Sequence, residues 1–175
     1  MYDKNKPHLP DHPVVTELGL VLNRNKLTKR YFDRLINARK KPNFSFVTSQ
    51  QMENYAEETI SSVNFLILEL LNCRNVNADH AASHLGKAQG IANILRSIYA
   101  QRIHSQHLPI PQEILMKHGI SQERFYRSKL GDKGVEEVVF EIATLAHQHL
   151  EKVTCNYFQD SINHNLLFTV ISFNE

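Results

Sequence analysis

The chain of 175 residues has the length and composition of one globular domain. With 42% hydrophobic residues, six glycines and six prolines, it is too apolar for an intrinsically disordered protein and too poor in glycine and proline for a linker. The net charge of +2 is uneven, because residues 1–41 carry +6 and the remainder carries −4. This local basic stretch lacks the interleaved aromatic pattern of single-stranded nucleic-acid binders, so no nucleic-acid partner is expected.

Cys73 and Cys155 stand far apart, each without a second cysteine nearby. This spacing encodes neither a disulfide framework nor a structural zinc site, and it fits a reducing compartment. No apolar run approaches the ~20 residues that a membrane-spanning helix needs, and residues 1–10 have no feature of a targeting signal. We therefore expect no transmembrane helix and no targeting segment within this sequence.

Apolar residues recur at helical spacing and nowhere alternate over a long segment as in a strand, which predicts an all-α fold. The first predicted helix begins near Asp11, has Pro13 in its first turn and ends around residues 23–25. The second covers Thr28 to Lys41. Its predicted buried side chains are Tyr31, Leu35 and Ile36, and its predicted outer or C-terminal cations are Lys29, Arg30, Arg34, Arg39 and Lys40.

Two long core helices follow. The third begins at Thr48, which forms a capping box with Gln51. Its apolar stripe is predicted to be continuous and consists of Met52, Tyr55, Thr59, Val63, Leu66, Ile67 and Leu70. The fourth begins near Asn77, and its seam consists of Ala81, Leu85, Ala88, Ala92, Leu95 and Tyr99. The small residues of this seam indicate close helix neighbours.

Three further helices complete the prediction. A short helix covers Glu113 to His118 and ends at Gly119, and Ser121 caps another short segment. The last helix covers Val135 to Phe158, with a stripe of Val135, Val138, Val139, Ile142, Leu145, Ala146, His149 and Val153. The domain plan is therefore an irregular segment over residues 1–10, a helical domain over 11–158 and a divergent tail over 159–175.

Two pairs of polar residues at helical spacing leave alternatives open. Glu53 and Glu57 are four apart, which suits a metal pair or acid–base chemistry, but a solvated acidic face is the commoner arrangement. His80 and His84 are also four apart and would share a transition metal, but an exposed helix surface or hydrogen bonding between helices is favoured. We expect no metal at either pair.

Gly86 and Gly90 are four apart on the fourth predicted helix. Glycine inside a helix costs ~1 kcal/mol relative to alanine, so it needs a compensating contact. The absent side chains would admit a neighbouring backbone or an elongated ligand, and tight helix packing is the favoured interpretation.

The segment ADHAASHLGKAQGIANILR over residues 78–96, followed by IPQEILMKHGIS over residues 110–121, resembles the squalene/phytoene synthase family. In that family a helix carries G-x-A-x-x-x-x-N-x-x-R-D-x-x-E-D, and it precedes an LPxD-like segment and a short helix ending in HG. The matching residues here are Gly86, Ala88, Asn93, Arg96, Pro111, Glu113 in place of an aspartate, and Gly119. The resemblance covers about residues 10 to 155 and implies an isoprenoid synthase-like helical bundle.

The metal-binding acids of that family pattern are missing. The resemblance implies condensation of two prenyl diphosphates with magnesium, whose preferred ligands are carboxylate oxygens. Ser97, Ala100 and Gln101 occupy the positions of the three acids. We therefore expect a non-catalytic protein without a cofactor, and a residual prenyl diphosphate transferase or an apolar-lipid-binding protein remains as the alternative.

Longer strings narrow the resemblance to a mitochondrial branch of the family that assists the assembly of respiratory complex I. They are ENYAEET over residues 53–59 and ADHAASH-x-GKAQGI over residues 78–91. The resemblance implies complex I subunits or other assembly factors as partners, on the matrix side of the inner membrane. It also implies a domain that is longer at both ends than this sequence.

The basic stretch offers a candidate surface for an inner-membrane lipid or a protein partner. Its residues are Lys29, Arg30, Arg34, Lys40 and Lys41. A merely solvated helix face is the simpler interpretation.

Overall fold

A computed structural model describes residues 12–40, 45–104, 109–128 and 131–158, with side chains omitted at residues 99–104 and 155–158. All regular structure in these ranges is helical, as predicted. The helices are α1 (Pro13–Arg24), α2 (Lys29–Arg39), α3 (Ser49–Ala56), a π-helical segment (Glu57–Ser61), α4 (Ser62–Leu70), α5 (Val76–His104), α6 (Gln112–Lys117), α7 (Gln122–Arg127) and α8 (Lys133–Phe158). The divergent tail and the segment over residues 1–10 lie outside the described residues.

The long helix α5 is the centre of the fold. It packs along α8 on one side and against α3, the π-helical segment and α4 on the other. The main core cluster includes Ile91, Ile114, Phe125 and Ile142, all almost completely inaccessible to solvent. Within the described ranges no helix combines the length and apolar content needed to cross a membrane.

The predicted caps are confirmed at several helix ends. The Thr48 hydroxyl accepts a hydrogen bond from Gln51 N (3.3 Å), and Ser121 caps α7 in the same way through Arg124 N (3.1 Å). Gly119 ends α6 with φ of 63°. At α1 the N-cap is His12, whose ring accepts from Val14 N, and the predicted cap Asp11 lies outside the described residues.

The predicted third helix extends without a gap from Ser49 to Leu70, but the prediction that its apolar stripe is continuous was wrong. Five residues form π-helical turns between α3 and α4, where Ser62 N donates to Glu57 O instead of to the carbonyl four residues back. The Thr59 hydroxyl donates to Tyr55 O (2.7 Å), which is the side-chain to backbone bonding that loosens helical turns. Each wider turn rotates the following helix, so Val63 and Leu70 are exposed although they extend the predicted stripe.

Three other side chains differ from their predicted positions. Ile36 on α2 is 53% exposed, because the buried face of this helix runs from Tyr31 through Leu35 to Ala38. Arg34, predicted outside, is half-buried beside that face. On α5, Ala92 is exposed because the buried face of the second half of the helix runs through Ile91, Ile94 and Ile98, which pack in the main core cluster.

Candidate functional site

Asn93, Arg96 and the positions of the three missing acids lie along the second half of α5. Asn93 is half-buried and Arg96 is exposed, and the Arg96 guanidinium donates a hydrogen bond to Asn93 Oδ1. The Ser97 hydroxyl donates to Ile94 O (2.8 Å), which turns it towards its own helix. Ala100 and Gln101 belong to the helical backbone, and their side chains lie outside the described part.

A magnesium centre would need several convergent oxygen ligands. Across the described ranges no group of three or more histidine, cysteine, aspartate or glutamate side chains is placed to hold a metal ion. Asn93 is neutral and Arg96 is cationic, so this pair is better suited to contact an anion or solvent than to bind a divalent cation.

Gly86 and Gly90 let α5 approach its neighbours closely, as favoured above. A Cβ atom on Gly86 would lie 2.3 Å from Ser61 Oγ and 2.5 Å from Ser61 N. A Cβ atom on Gly90 would lie 2.4 Å from Ala56 Cβ. The two glycines therefore provide backbone contact with α3 and the π-helical segment, and Ser61 Oγ also donates to Ser83 O (2.9 Å).

Glu113, which stands in place of the family aspartate, joins two helices. Its carboxylate accepts hydrogen bonds from both the amide and the hydroxyl of Ser49, the first residue of α3. These bonds lower the pKa of the Glu113 carboxyl below its usual value. A carboxylate at the start of a helix is favourable for the helix dipole as well. The contact therefore fixes α6 on the N-terminal end of α3.

A cluster of Glu53, His84 and His149, here named the histidine cluster, connects α3, α5 and α8. His149 is 6% exposed, its Nε2 atom lies 3.2 Å from Glu53 Oε2, and its Nδ1 atom lies 2.8 Å from His84 Nδ1. Beside it, Lys87 and Glu57 form an ion pair at 3.0 Å. The expectation that Glu53 and Glu57 form a solvated acidic face was wrong, because both bind groups on neighbouring helices.

The proton positions in the histidine cluster follow from its partners. A carboxylate only accepts, so His149 Nε2–H donates to Glu53, and the remaining Nδ1 atom of the neutral ring accepts from His84 Nδ1–H. Burial, aided by His149 and His80, lowers the pKa of His84 to about 4. Burial also lowers the pKa of His149, although Glu53 opposes this. Both rings are therefore neutral at pH 7.

Sequence reasoning anticipated hydrogen bonding between helices at His84 but not its partner. His149 lies on the apolar stripe of α8 between Ala146 and Val153. A histidine in such a stripe is buried and needs a hydrogen-bond partner. Its position in the stripe therefore indicated that His149 takes part in a buried hydrogen bond. The identity of the partner was not available, because His84 and His149 are 65 residues apart in the sequence.

Three of the five residues predicted to form a basic surface are exposed on or next to α2. Lys29, Arg30 and Lys40 are exposed, Arg34 is half-buried, and Lys41 lies outside the described residues. The exposed Ile36 stands on the same outer side of the helix.

Comparison with known proteins decides the family. A family model for squalene/phytoene synthases matches residues 2–161. The chain belongs to the squalene/phytoene synthase family. Squalene synthase HpnC from Alicyclobacillus acidocaldarius shares the fold, with a TM-score of 0.76 at 17% sequence identity over 92% of this chain and 60% of that one.

Two relatives from animals are more similar in sequence. One is a homolog of "NADH dehydrogenase (ubiquinone) complex I, assembly factor 6" from Drosophila melanogaster, 48% identical over 85% of this chain. The other is the assembly factor 6 from Mus musculus, 43% identical over 86% of this chain. The alignments cover 45% and 44% of those relatives, so this synthase-family chain spans about half the length of the relatives that it matches.

Proposed function

We propose that this protein is a non-catalytic member of the synthase family that acts in the assembly of mitochondrial respiratory complex I, on the matrix side of the inner membrane. The observation that carries the proposal is the position of Ser97, where the family pattern has a metal-binding aspartate and this chain has a hydroxyl bonded to Ile94 O. The names of the Drosophila melanogaster and Mus musculus relatives support the role in complex I assembly. Complex I subunits or other assembly factors are then the partners.

The absence of catalysis is tested with purified protein, prenyl diphosphates and Mg²⁺. We expect no release of diphosphate, because Ser97 provides no charge to a magnesium cluster. A family enzyme with intact acidic motifs serves as the positive control. Turnover above the protein-free background, abolished by Arg96→Ala, would support the residual transferase instead.

The role in assembly is tested by removing the gene from the organism that carries it. We expect assembled complex I to fall, measured on native gels and by NADH:ubiquinone activity, and the wild-type gene to restore it. Ser97→Ala is expected to restore it equally, because the proposed role does not use this hydroxyl chemically. Normal complex I levels without the gene would contradict the proposal.

A lipid surface is a second candidate partner, favoured by the exposure of Ile36 among the cations of α2. Cardiolipin-containing vesicles are expected to bind the protein, and added salt is expected to weaken this binding. Arg30→Glu should reduce the bound fraction, and Arg127→Glu on α7 is the matched control. Binding that is insensitive to salt contradicts an electrostatic contact.

A further inference from the structure

A cavity of about 880 Å³ opens at the N-terminal end of α5. Its walls come from the α1–α2 connection, α4, the α4–α5 connection and the first turn of α5. Cavities of 300–1,000 Å³ are typical of small-molecule sites. Asp79 in this wall precedes Asn93 by fourteen residues of continuous helix, which corresponds to roughly 21 Å along the axis. The cavity is therefore separate from Asn93, Arg96 and the positions of the three missing acids.

Three cationic side chains line this cavity, namely Arg24, Lys26 and Arg74. All three residues are exposed, and none forms an ion pair with another residue in the described ranges. Two guanidinium groups and one ammonium group provide many hydrogen-bond donors and no acceptor. Such a set recognises a phosphate, which accepts several charge-assisted hydrogen bonds at once.

The same cavity also contains two carboxylates. Glu69 accepts hydrogen bonds from the amide (2.8 Å) and the hydroxyl of Thr28, so it holds the α1–α2 connection in place. Asp79 is a solvent-exposed residue and has no hydrogen bond or ion pair to a described side chain. Partial desolvation, followed by the negative charge of Glu69, raises the pKa of the Asp79 carboxyl. The carboxylate of Asp79 is thus a negative charge that a bound cation would stabilise.

An aromatic pair forms the apolar part of the wall. The rings of Tyr31 and Phe65 stack with centroids 5.1 Å apart and an interplanar angle of 29°. Both residues line the cavity together with Leu27 and Leu68.

The charged residues of the cavity favour a ligand that carries both signs of charge. The carboxylates repel a simple anion, and the three cations repel a simple cation.

We propose that this cavity binds a phosphorylated primary amine, with the phosphate held by Arg24, Lys26 and Arg74 and the ammonium group held by Asp79. A primary ammonium carries three N–H donors, which suits a carboxylate acceptor. The ligand is either a soluble phosphoamine or the headgroup of an aminophospholipid, and both carry the same two charges at a short separation.

The soluble form is tested with O-phosphoethanolamine by isothermal titration calorimetry on the full chain. We expect saturable binding that is at least tenfold tighter than the binding of inorganic phosphate or of ethanolamine alone. Binding of inorganic phosphate with equal affinity overturns the role of Asp79. Tighter binding of phosphocholine overturns the assignment of a primary amine.

The variants separate the two halves of the ligand. Asp79→Asn is expected to weaken the binding of phosphoethanolamine about tenfold and to leave that of inorganic phosphate unchanged, whereas Arg74→Gln weakens both. Asp79→Glu keeps the charge and is expected to retain most of the affinity. The matched controls outside the cavity are Asp33→Asn on α2 and Arg127→Gln on α7, and circular dichroism checks the folding of each variant.

Vesicles distinguish the two sources of the ligand. Sedimentation with phosphatidylethanolamine vesicles, but not with pure phosphatidylcholine vesicles, supports the lipid headgroup, provided that Asp79→Asn reduces the sedimented fraction. Both vesicles are electrically neutral overall, so the basic surface of α2 does not account for a difference between them. Absence of binding to both the soluble amine and the vesicles overturns the proposal.

Discussion

The two halves of α5 stabilise the fold in different ways. From Ala78 to Gly90 the buried residues are small, and their neighbours include the buried polar residues Ser61 and Asn64. From Ile91 to Ile98 the buried residues are isoleucines, in a cluster with large apolar side chains of α6, α7 and α8. The first half therefore depends on close backbone approach and hydrogen bonds, and the second depends on side-chain volume.

This difference determines what each half tolerates. In the first half the Asn64 amide donates to Ala82 O (3.2 Å), while its Oδ1 atom is buried without a partner in the described ranges. Buried polar groups of this kind make a packing arrangement specific, because any displacement leaves more of them unsatisfied. In the second half, displacement leaves voids, which cost free energy in proportion to their volume.

The largest effect is expected in the apolar half. Ile91 is completely buried, and Ile91→Ala should lower the free energy of unfolding by about 2 to 5 kcal/mol, because the neighbouring helices fill the cavity only partly. Urea denaturation monitored by circular dichroism measures this loss. Ile36→Ala on the exposed face of α2 is the control, with a loss below about 1 kcal/mol. Equal losses for the two variants would contradict the conclusion that buried side-chain volume stabilises the second half of α5.

A gain of volume should be harmful in the small-residue half. Gly86→Ala places a methyl group against the backbone of Ser61, so we expect a loss of about 1 to 3 kcal/mol even though alanine is the better helix former. Gly134→Ala on α8 is the matched control, because its nearest obstacle is the terminal methyl group of Ile120, which moves more easily. The comparison fails if Gly134→Ala is the more destabilising of the two in urea denaturation.

The sequence was informative where structure depends on adjacent residues. Caps at Thr48, Ser121 and Gly119 depend on bonds that span at most five positions, so local chemistry predicted them. The synthase-like fold came from the resemblance around Gly86 and Asn93, and the family model and the shared fold agree with it.

The remaining differences depend on contacts between distant segments. In the π-helical turns the hydroxyls of Thr59 and Ser62 donate hydrogen bonds to backbone carbonyls, and these turns rotate α4. The apolar pattern of the sequence does not predict such a rotation. The hydrogen bond between Glu53 and His149 and the cavity at Asp79 each bring together residues from helices that are separated by many positions. A single sequence gives the types of these residues but not their neighbours.

The histidine cluster gives the small-residue half a dependence on pH. His84 has a pKa of about 4 in the fold against 6.5 in the unfolded chain, so between these values the unfolded state binds more protons. Its stabilising contribution is therefore complete above pH 6.5 and is lost as the pH falls towards 4. His84→Gln keeps a donor for His149 Nδ1 and should flatten this part of the pH profile, measured as urea midpoints between about pH 7.5 and about pH 4.5.

The exposed His147 provides the control for the cluster. It lies on α8 two residues before His149, and within the described residues its ring pairs with Glu151 at the surface (3.4 Å). His147→Gln should leave the slope of the wild-type protein unchanged. Identical slopes for the wild type and His84→Gln would show that the cluster does not contribute to the acid sensitivity.

The smallest effect is expected at two helix ends that have the same hydrogen bonds but different residues. α4 ends at Asn72 (φ 53°) and α6 ends at Gly119 (φ 63°), and in both cases the next amide donates to the carbonyl five residues back (2.9 Å). Asparagine tolerates this left-handed conformation better than other residues with a side chain. Gly119→Asn should therefore cost less than about 1 kcal/mol, and Gly119→Val about 1 to 2 kcal/mol more, since no atom lies within 4 Å of a Cβ at this position. Thermal unfolding of Gly119→Asn and Gly119→Val measures this difference. Equal melting temperatures would show that the left-handed backbone conformation does not determine which residues the end of α6 tolerates.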